Sequence, residues 1–147
     1  MNSDDQIIQQ AFTILADRLK NDVAPLLSPA LVRNYLTLKL AQEEREIFGV
    51  LWLNAKNQVI CCENLFYGTL KSVEVHPREI VKLALKHNAA AVIYFHNHPS
   101  GNEMPSGADE KMTDRLKEVL DLIEVDSLDH IIVGHTKTYS FAENGLM

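Results

Sequence analysis

The sequence predicts an α/β (α+β) fold, in which helices flank a mixed β-sheet within a single domain. Two runs, IFGVLWL at residues 47–53 and AAAVIYF at residues 89–95, are apolar on both faces, as in central strands that are covered on two sides. Helical patterns with one apolar face precede and separate these runs, which favours helices packed on a sheet. With 147 residues, of which 46% are hydrophobic, the chain is long enough to bury one core.

Two helices are predicted before the first strand. The stretch DDQIIQQAFTILADRLK spaces its apolar residues as one helix face, namely Ile7, Ala11, Ile14, Leu15 and Leu19. The stretch NDVAPLLSP then interrupts the pattern. Ser28 is the expected N-cap of a second helix, with Pro29 in its first turn. The apolar stripe predicted for this helix consists of Leu31, Tyr35, Leu38 and Ala41.

The rest of the chain alternates strands and helices. EIFGVLWLNAKNQVICCENLFYG predicts a hairpin that turns at NAKNQ, with 47–53 as a central strand. SVEVHPREIVKLALKHN predicts a short strand and then a helix, with Pro77 near its start and Asn88 at its end. After AAAVIYF, a further helix presents Met112, Leu116, Val119, Leu120 and Ile123 on one face. LDHIIVG and TYSF close the chain as strands, and the predicted order is α-α-β-β-β-α-β-α-β-β.

The charge balance and the cysteines restrict the class of protein. Fourteen basic and twenty acidic side chains give a net charge of −6, which argues against a general nucleic-acid-binding surface. The adjacent Cys61 and Cys62 are expected to be small buried residues in a reducing compartment, because neighbouring cysteines close a disulfide only with strain. The amino terminus lacks an apolar signal segment, and no run approaches the ~18 residues of a membrane helix. A cytoplasmic protein without membrane contact is therefore expected.

The stretch HNHPSGNEMPSGAD, residues 96–109, holds the candidate metal ligands. His96 and His98 are two positions apart at the end of a strand, so both rings are expected on the same side. Asp109 begins the next helix, from which its carboxylate can return as a third ligand. Three protein ligands leave one position of a zinc ion open, as in catalytic zinc sites. Nitrogen and oxygen ligands also suit other first-row divalent ions.

Two further residues complete the predicted site. The hydroxyl of Ser106 is placed to donate to an oxyanion, although Ser106 with Asp109 also has the spacing of a helix N-cap followed by an acidic first turn. The two roles are compatible. Glu46 precedes a strongly apolar strand, where low polarity raises the pKa of a carboxyl, and it is the candidate acid and base. Alternatively, Glu46 belongs with Glu43 and Glu44 to a solvated helix end.

These residues resemble the JAMM (MPN+) metalloprotease motif, H-x-H-P-x6-S-x2-D with an upstream glutamate. A fuller similarity, to the RadC family, lies in FYGTLKSVEVHPREIVKLALKHNAAAVIYFHNHPSG and LDHIIVG and extends over residues 28–141. The helical pattern near the amino terminus predicts a separate N-terminal helix segment at 1–27, and the resemblance implies a RadC-type JAMM/MPN-like domain at 28–147. It also implies that a single zinc ion is held by His96, His98 and Asp109, that Ser106 assists the tetrahedral intermediate, and that Glu46 acts as acid and base.

The function implied by the resemblance is zinc-dependent hydrolysis of peptide or isopeptide bonds. A non-catalytic MPN-type interaction domain is one alternative, and the complete Glu-His-His-Ser-Asp set argues against it. A DNA-repair-associated factor is another, since longer members of the family carry an N-terminal helix-hairpin-helix segment suited to DNA. The first 45 residues here contain no glycine for such a hairpin, and the acidic balance also argues against DNA binding.

Other polar residues receive lesser roles. His76 is expected to be structural or, with Arg78, to line the cleft, and His87 is expected at a helix end, where positive charge is favourable. His130 is expected to be buried and hydrogen-bonded, or to contact a metal ligand from behind. Four basic residues either form a solvated helix face or attract an acidic partner. They are Lys71, Arg78, Lys82 and Lys86.

Overall fold

The computed structural model describes residues 2–21 and 28–147, with side chains for 2–19 and 28–147. Within these ranges lie four helices and five strands, in the order α1 (Ser3–Asn21), α2 (Pro29–Leu40), β1 (Ile47–Leu53), β2 (Val59–Tyr67), α3 (Pro77–Lys86), β3 (Ala91–Asn97), α4 (Gly107–Asp121), β4 (Asp126–Val133) and β5 (Thr138–Ser140). The predicted α/β class is confirmed. The predicted interruption at NDVAPLLSP falls mostly on residues 22–27, which lie outside the described residues.

The five strands form one mixed sheet in the order β2-β1-β3-β4-β5. β3 and β4 are parallel, and the other neighbours are antiparallel. Every residue of β1 and of β3 is buried, which confirms that the two apolar runs form central strands. Because β1 runs antiparallel to β3 and Phe48 pairs with His96, the beginning of β1 lies beside the end of β3.

Helices cover both faces of the sheet, and each face has its own core. On one face, residues of α1 and α2 such as Leu19 and Leu36 pack against Leu51, Phe95 and their neighbours. On the other face, residues of α3 and α4 pack against alternate strand residues, in a cluster that includes Phe48, Trp52, Tyr94, Ile80, Ala84, Leu116 and Leu120. The period of two along each strand divides the apolar side chains between the two cores.

The first two helices bury faces somewhat different from those predicted. Ile7 and Ile14 of α1 are exposed, while Phe12 and Leu15 pack toward α2, where the Phe12 ring stacks on Tyr35. Ser28 caps α2 and Pro29 occupies its first turn, as predicted. The buried residues of α2 are Val32, Tyr35, Leu36 and Leu40. Two adjacent apolar stripes fit the sequence of α2, and only packing against the sheet decides which of them is covered.

The short strand predicted at SVEV does not form, since residues 72–75 have no regular structure and no ladder pairing. Val73 and Val75 still pack against the α3–α4 core. Burial of one side of an extended segment produces the alternating pattern of a strand without requiring a hydrogen-bonded neighbour. Asn88 ends α3 with a positive φ of 53°, as predicted. No helix among the described residues combines the length and apolarity needed to cross a bilayer.

Gly49 of β1 leaves room for the Phe95 ring of β3 and for the Glu63 backbone of β2. A Cβ at this position would lie 2.2 Å from Cζ of Phe95 and 2.4 Å from the backbone carbonyl oxygen of Glu63. We therefore expect Gly49→Ala to lower the free energy of unfolding by about 1–3 kcal/mol, the cost of overpacking a core. Chemical denaturation measures this loss. Gly107→Ala is the matched control, because no atom lies within 4 Å of its added Cβ, and an equal loss in both variants would contradict the packing argument.

Candidate metal centre

The candidate site forms where the start of β1, the end of β3 and the start of α4 meet. His96 lies within β3, and His98 follows its end. Glu46 immediately precedes β1, and Asp109 lies in the first turn of α4. The backbone N–H of His98 donates to the carbonyl of Val133 at 2.9 Å, which extends the β3–β4 contact by one residue and holds the second imidazole in line with the first.

Three side chains converge within hydrogen-bonding distance of one another. Nε2 of His96 lies 2.9 Å from Nε2 of His98. Oδ2 of Asp109 lies 3.1 Å from Nε2 of His98, and Oδ1 lies 3.4 Å from Nε2 of His96. Two ligand atoms of a tetrahedral zinc ion, each about 2.0–2.1 Å from the metal, are roughly 3.3 Å apart. The spacing of these three groups therefore fits a single small cation.

The hydrogen bonds of His98 and Asp109 show that this donor set favours a cation. Nδ1 of His98 lies 2.7 Å from the carbonyl oxygen of Asn102, which can only accept, so Nδ1 carries the proton and Nε2 presents a lone pair. That lone pair faces Asp109, whose carboxylate oxygens are also acceptors. Two acceptors 3.1 Å apart repel each other unless a proton or a cation lies between them. The residues present therefore fit a divalent metal ion with nitrogen and oxygen ligands.

Burial and the contacts among these side chains shift the pKa values within the site. Burial alone would raise the pKa of Asp109, but its electrostatic interactions with His96 and His98 and the hydrogen bond from the Ser106 backbone hold it well below its usual range, so the carboxylate stays ionised. Burial disfavours the charged form of His98, yet its hydrogen bonds to Asp109 and to the Asn102 carbonyl raise its pKa. Burial lowers the pKa of His96. The ionised Asp109 carboxylate thus places a negative charge at the point where the three side chains meet.

Ser106 and Asp109 hold each other in a capping box. The backbone N–H of Asp109 donates to Oγ of Ser106 at 3.1 Å, and the backbone N–H of Ser106 donates to Oδ2 of Asp109 at 2.9 Å. The N-cap predicted from the spacing is confirmed. The same contacts orient the Asp109 carboxylate toward the two imidazoles, because the oxygen that accepts from Ser106 is also the one nearest His98. The Ser106 hydroxyl accepts from the backbone, so its own proton remains available for donation.

Glu46 is buried, in contrast to the exposed Glu43 and Glu44, so it does not belong to a solvated helix end. Its side chain is 10% exposed, and Oε1 lies 3.8 Å from Nε2 of His98. Burial raises the pKa of Glu46 to about 7, with a smaller contribution from the Asp109 charge and an opposing one from His98. A carboxyl with this pKa exchanges a proton readily near neutral pH.

Asn97, the middle residue of His-Asn-His, fixes the backbone on both sides of Glu46, a role that the sequence analysis missed. Its Oδ1 accepts from the backbone N–H of Ile47 at 2.7 Å, and its Nδ2 donates to the carbonyl oxygen of Arg45 at 3.0 Å. Asn97 is buried and points away from the two imidazoles, as the alternation of a strand requires. The only feature of the sequence that could have indicated this role of Asn97 is the position of its amide between two candidate metal ligands.

An open groove of about 590 Å³ lies over the site. Glu46, His98, Ser106 and Asp109 line it, together with the cationic side chains of Lys71 and Arg115. Its apolar lining comes from Leu70, Val73, Val75, Pro77, Pro99, Ala108 and Met112. The groove therefore brings the candidate acid and base, the carboxylate ligand and the helix N-cap to one solvent-accessible surface.

The other predicted polar residues lie mostly away from this groove. His76 is exposed at the start of α3, and Arg78 faces a separate surface depression beside Lys82, so neither lines the groove over the site. Lys71 alone of the predicted basic group reaches that groove. His130 is fully buried, and its Nε2 lies 2.7 Å from Nδ1 of His96. His130 is therefore confirmed as a buried, hydrogen-bonded residue, and it contacts His96, one of the candidate ligands.

A second group of side chains that can bind a metal ion lies on β2 and at the end of α3. Nε2 of His87 lies 2.6 Å from Oε1 of Glu63, and Sγ of Cys61 lies 3.6 Å from the same nitrogen. The Trp52 indole also donates to that oxygen at 2.8 Å. His87 caps α3, as predicted, and its contact with Glu63 joins α3 to the sheet edge. Cys61 and Cys62 are half-buried and not fully buried as predicted, but they pack into opposite cores, as expected for adjacent strand residues.

Comparison with known proteins agrees with this arrangement. The RadC-like JAB domain family matches residues 26–146. The chain belongs to the RadC family. Among the RadC relatives, UPF0758 protein YfjY of Escherichia coli (strain K12) is 49% identical over 140 residues, which cover 95% of this chain and 88% of that protein. UPF0758 protein YkfG of the same strain is 49% identical over 144 residues, covering 98% of this chain and 91% of that protein.

Some RadC relatives are considerably longer. A UPF0758 protein of Dechloromonas aromatica (strain RCB) is 56% identical over 121 residues, which cover 82% of this chain but 54% of that protein. The chain thus spans about half the length of that relative and nearly the whole of the Escherichia coli ones. The matched region includes every candidate site residue from Glu46 to Asp109. The RadC-like JAB domain therefore contains the whole candidate metal centre.

Proposed function

We propose that this RadC domain is a zinc-dependent metallopeptidase-like hydrolase of peptide or isopeptide bonds. The observation that carries the proposal is the convergence of His96, His98 and Asp109 within 3.4 Å, beneath an open groove and beside a buried glutamate. These three residues would hold the ion. A bound zinc ion supplies a polarising charge and lowers the pKa of a coordinated water to about 7.

The protein side chains provide the proton transfers in this proposal. Glu46 is next to His98 and has a pKa of about 7, so it can accept a proton from the attacking water and return it to the leaving nitrogen. The Ser106 hydroxyl, whose oxygen already accepts from the Asp109 backbone, donates a hydrogen bond to the developing oxyanion. Asn97 keeps Glu46 in place, because it binds the backbone on both sides of that residue.

Removal of the metal should abolish hydrolysis while the fold remains. Two apolar cores stabilise the domain independently of the site, so chelation should leave the circular dichroism spectrum at 25 °C and the cooperative unfolding transition intact. We expect the melting midpoint to fall by roughly 5–10 °C, the loss expected when an ion present at about 100 times its Kd is removed.

The corresponding experiment measures zinc content, unfolding and cleavage of a broad panel of peptide and isopeptide substrates, before and after chelation. Cleavage that disappears with the metal and returns on zinc addition supports the proposal. Stoichiometric zinc without any cleavage would instead indicate a non-catalytic interaction domain. Collapse of the fold on chelation would show that the metal has a structural role.

A further inference from the structure

A chain of buried polar side chains lies behind the candidate metal centre and is not part of the predicted motif. Nδ1 of His96 lies 2.7 Å from Nε2 of His130 on β4. Nδ1 of His130 lies 2.6 Å from Oγ1 of Thr113 on α4, and that hydroxyl lies 2.8 Å from the backbone carbonyl oxygen of Asp109. All three side chains are at most 1% exposed, so water does not compete for these hydrogen bonds.

The direction of the hydrogen bonds is determined from the carbonyl end. Two oxygens 2.8 Å apart need a hydrogen between them, and the carbonyl of Asp109 has none, so the Thr113 hydroxyl donates to it. This hydroxyl has a single proton. Toward Nδ1 of His130 it can therefore only accept, which places the proton of that contact on Nδ1 of His130.

The direction of the hydrogen bond between His130 and His96 follows from the tautomer of His130. Its ring is fully buried among the aromatic rings of Phe48, Tyr94 and Phe141, and a second proton would place an unpaired charge in that environment. The neutral ring has one N–H, already assigned to Nδ1. Its Nε2 is consequently an acceptor, and the 2.7 Å contact requires Nδ1 of His96 to carry the proton. In a neutral imidazole, Nε2 of His96 is then left with a lone pair.

We propose that Thr113 and His130 act as positioning residues for the metal centre, fixing His96 as the Nδ1–H tautomer whose Nε2 lone pair faces the metal. This proposal rests on the proposed metal centre and extends it. These three hydrogen bonds, here called the Thr113–His130 relay, begin at the backbone of one candidate ligand, Asp109, and end at another, His96. The relay thereby joins α4, β4 and β3 and coordinates the orientation of ligands from two separate elements. The carbonyl of Asn102 has the corresponding role for His98.

The tautomer of His96 can be measured in the unaltered protein. Long-range proton–nitrogen NMR correlations of the imidazole rings distinguish Nδ1–H from Nε2–H. In metal-free protein at pH 8 we expect Nδ1–H for both His96 and His130. The Nε2–H form at His96 would overturn the proposal. Because no metal is present, this result does not depend on whether the protein binds zinc or hydrolyses anything.

Thr113→Val removes the hydroxyl and nearly preserves the shape of the side chain. We expect the zinc Kd, measured by competition with a chromophoric chelator, to rise about 10- to 100-fold, the usual cost of losing an outer partner of a metal-bound histidine. Thr113→Ser restores the hydroxyl and should bring the Kd back to within about threefold of the original value. Thr37→Val is the matched control, because Thr37 makes the same bond to the carbonyl four residues earlier, at 2.8 Å, on α2.

The outcomes separate this proposal from the proposed function. If zinc binds and Thr113→Val leaves its Kd unchanged, the relay proposal is overturned while the metal centre stands. If zinc does not bind but His96 is Nδ1–H, the metal centre fails while the relay stands. An equal rise in Kd for Thr113→Val and Thr37→Val would overturn the relay, since both would then act through general helix stability. If Thr113→Val does not fold, the NMR measurement on the unaltered protein still decides.

Discussion

Replacing Glu46 by glutamine is expected to lower the rate of amide hydrolysis by about 10²- to 10⁴-fold, the usual contribution of a general acid and base. Glutamine has nearly the same shape but neither accepts nor returns the proton. Zinc content should stay stoichiometric, because Glu46 lies 3.8 Å from His98 and is not among the three groups that approach one another most closely. Initial rates with the metal-loaded protein, on any substrate found in the cleavage screen, measure the effect.

Glu44→Gln is the matched control for this prediction, because Glu44 is an exposed carboxylate in the same segment and should not affect the rate. A Glu46→Gln variant that remains fully active would exclude Glu46 from the mechanism. Loss of both zinc and activity would contradict the assignment of Glu46 as an acid and base that does not bind the metal, because it would indicate that Glu46 is a ligand.

The stability of the same variant provides a second readout in metal-free protein. The pKa of Glu46 is raised from 4.5 to about 7 in the fold, so the folded state binds an extra proton between these pH values. Ionisation of Glu46 therefore costs stability increasingly as the pH rises through that window, and the full cost remains above it. Glu46→Gln removes the cost. We expect no gain near pH 4 and a gain of about 1–3 kcal/mol in the free energy of unfolding at pH 8.

The second large effect is expected from His98→Ala, which should raise the zinc Kd by more than about 10²-fold. Loss of an outer partner of a metal ligand already costs about 10- to 100-fold, and His98 itself contacts both of the other candidate ligands. The remaining His96 and Asp109 would leave two ligands where catalytic zinc usually has three. Competition titration and metal analysis of the purified variant provide the measurement.

His76→Ala is the control for His98→Ala, since His76 is exposed at the start of α3 and lies outside the groove over the site. Its zinc affinity should equal that of the unaltered protein. Unchanged zinc binding by His98→Ala would mean that the metal is held elsewhere, and the pair of Glu63 and His87 with Cys61 would be the next group to examine by substitution.

Local sequence determined most of the secondary structure. The continuous apolar runs of β1 and β3, the Ser28 cap of α2 and the positive φ of Asn88 all follow from properties of single residues or short periods. The errors have a common cause. Ile7 and Ile14 are exposed, and residues 72–75 make no ladder, because a periodic pattern does not specify which neighbour covers an apolar face or pairs with an extended segment.

For the candidate site, the sequence by itself determined the residues with metal-ligand chemistry, because the spacing of His96, His98, Ser106 and Asp109 needs only one strand end and one helix start. The tertiary structure alone decided that Glu46 is buried beside them, since antiparallel pairing of β1 with β3 places Phe48 opposite His96, 48 residues further along the chain. It also brought Thr113 and His130 behind His96 through the packing of α4 and β4. A motif records residues that are close along the chain, whereas burial and hydrogen-bond direction depend on elements that meet only when the whole sheet is assembled.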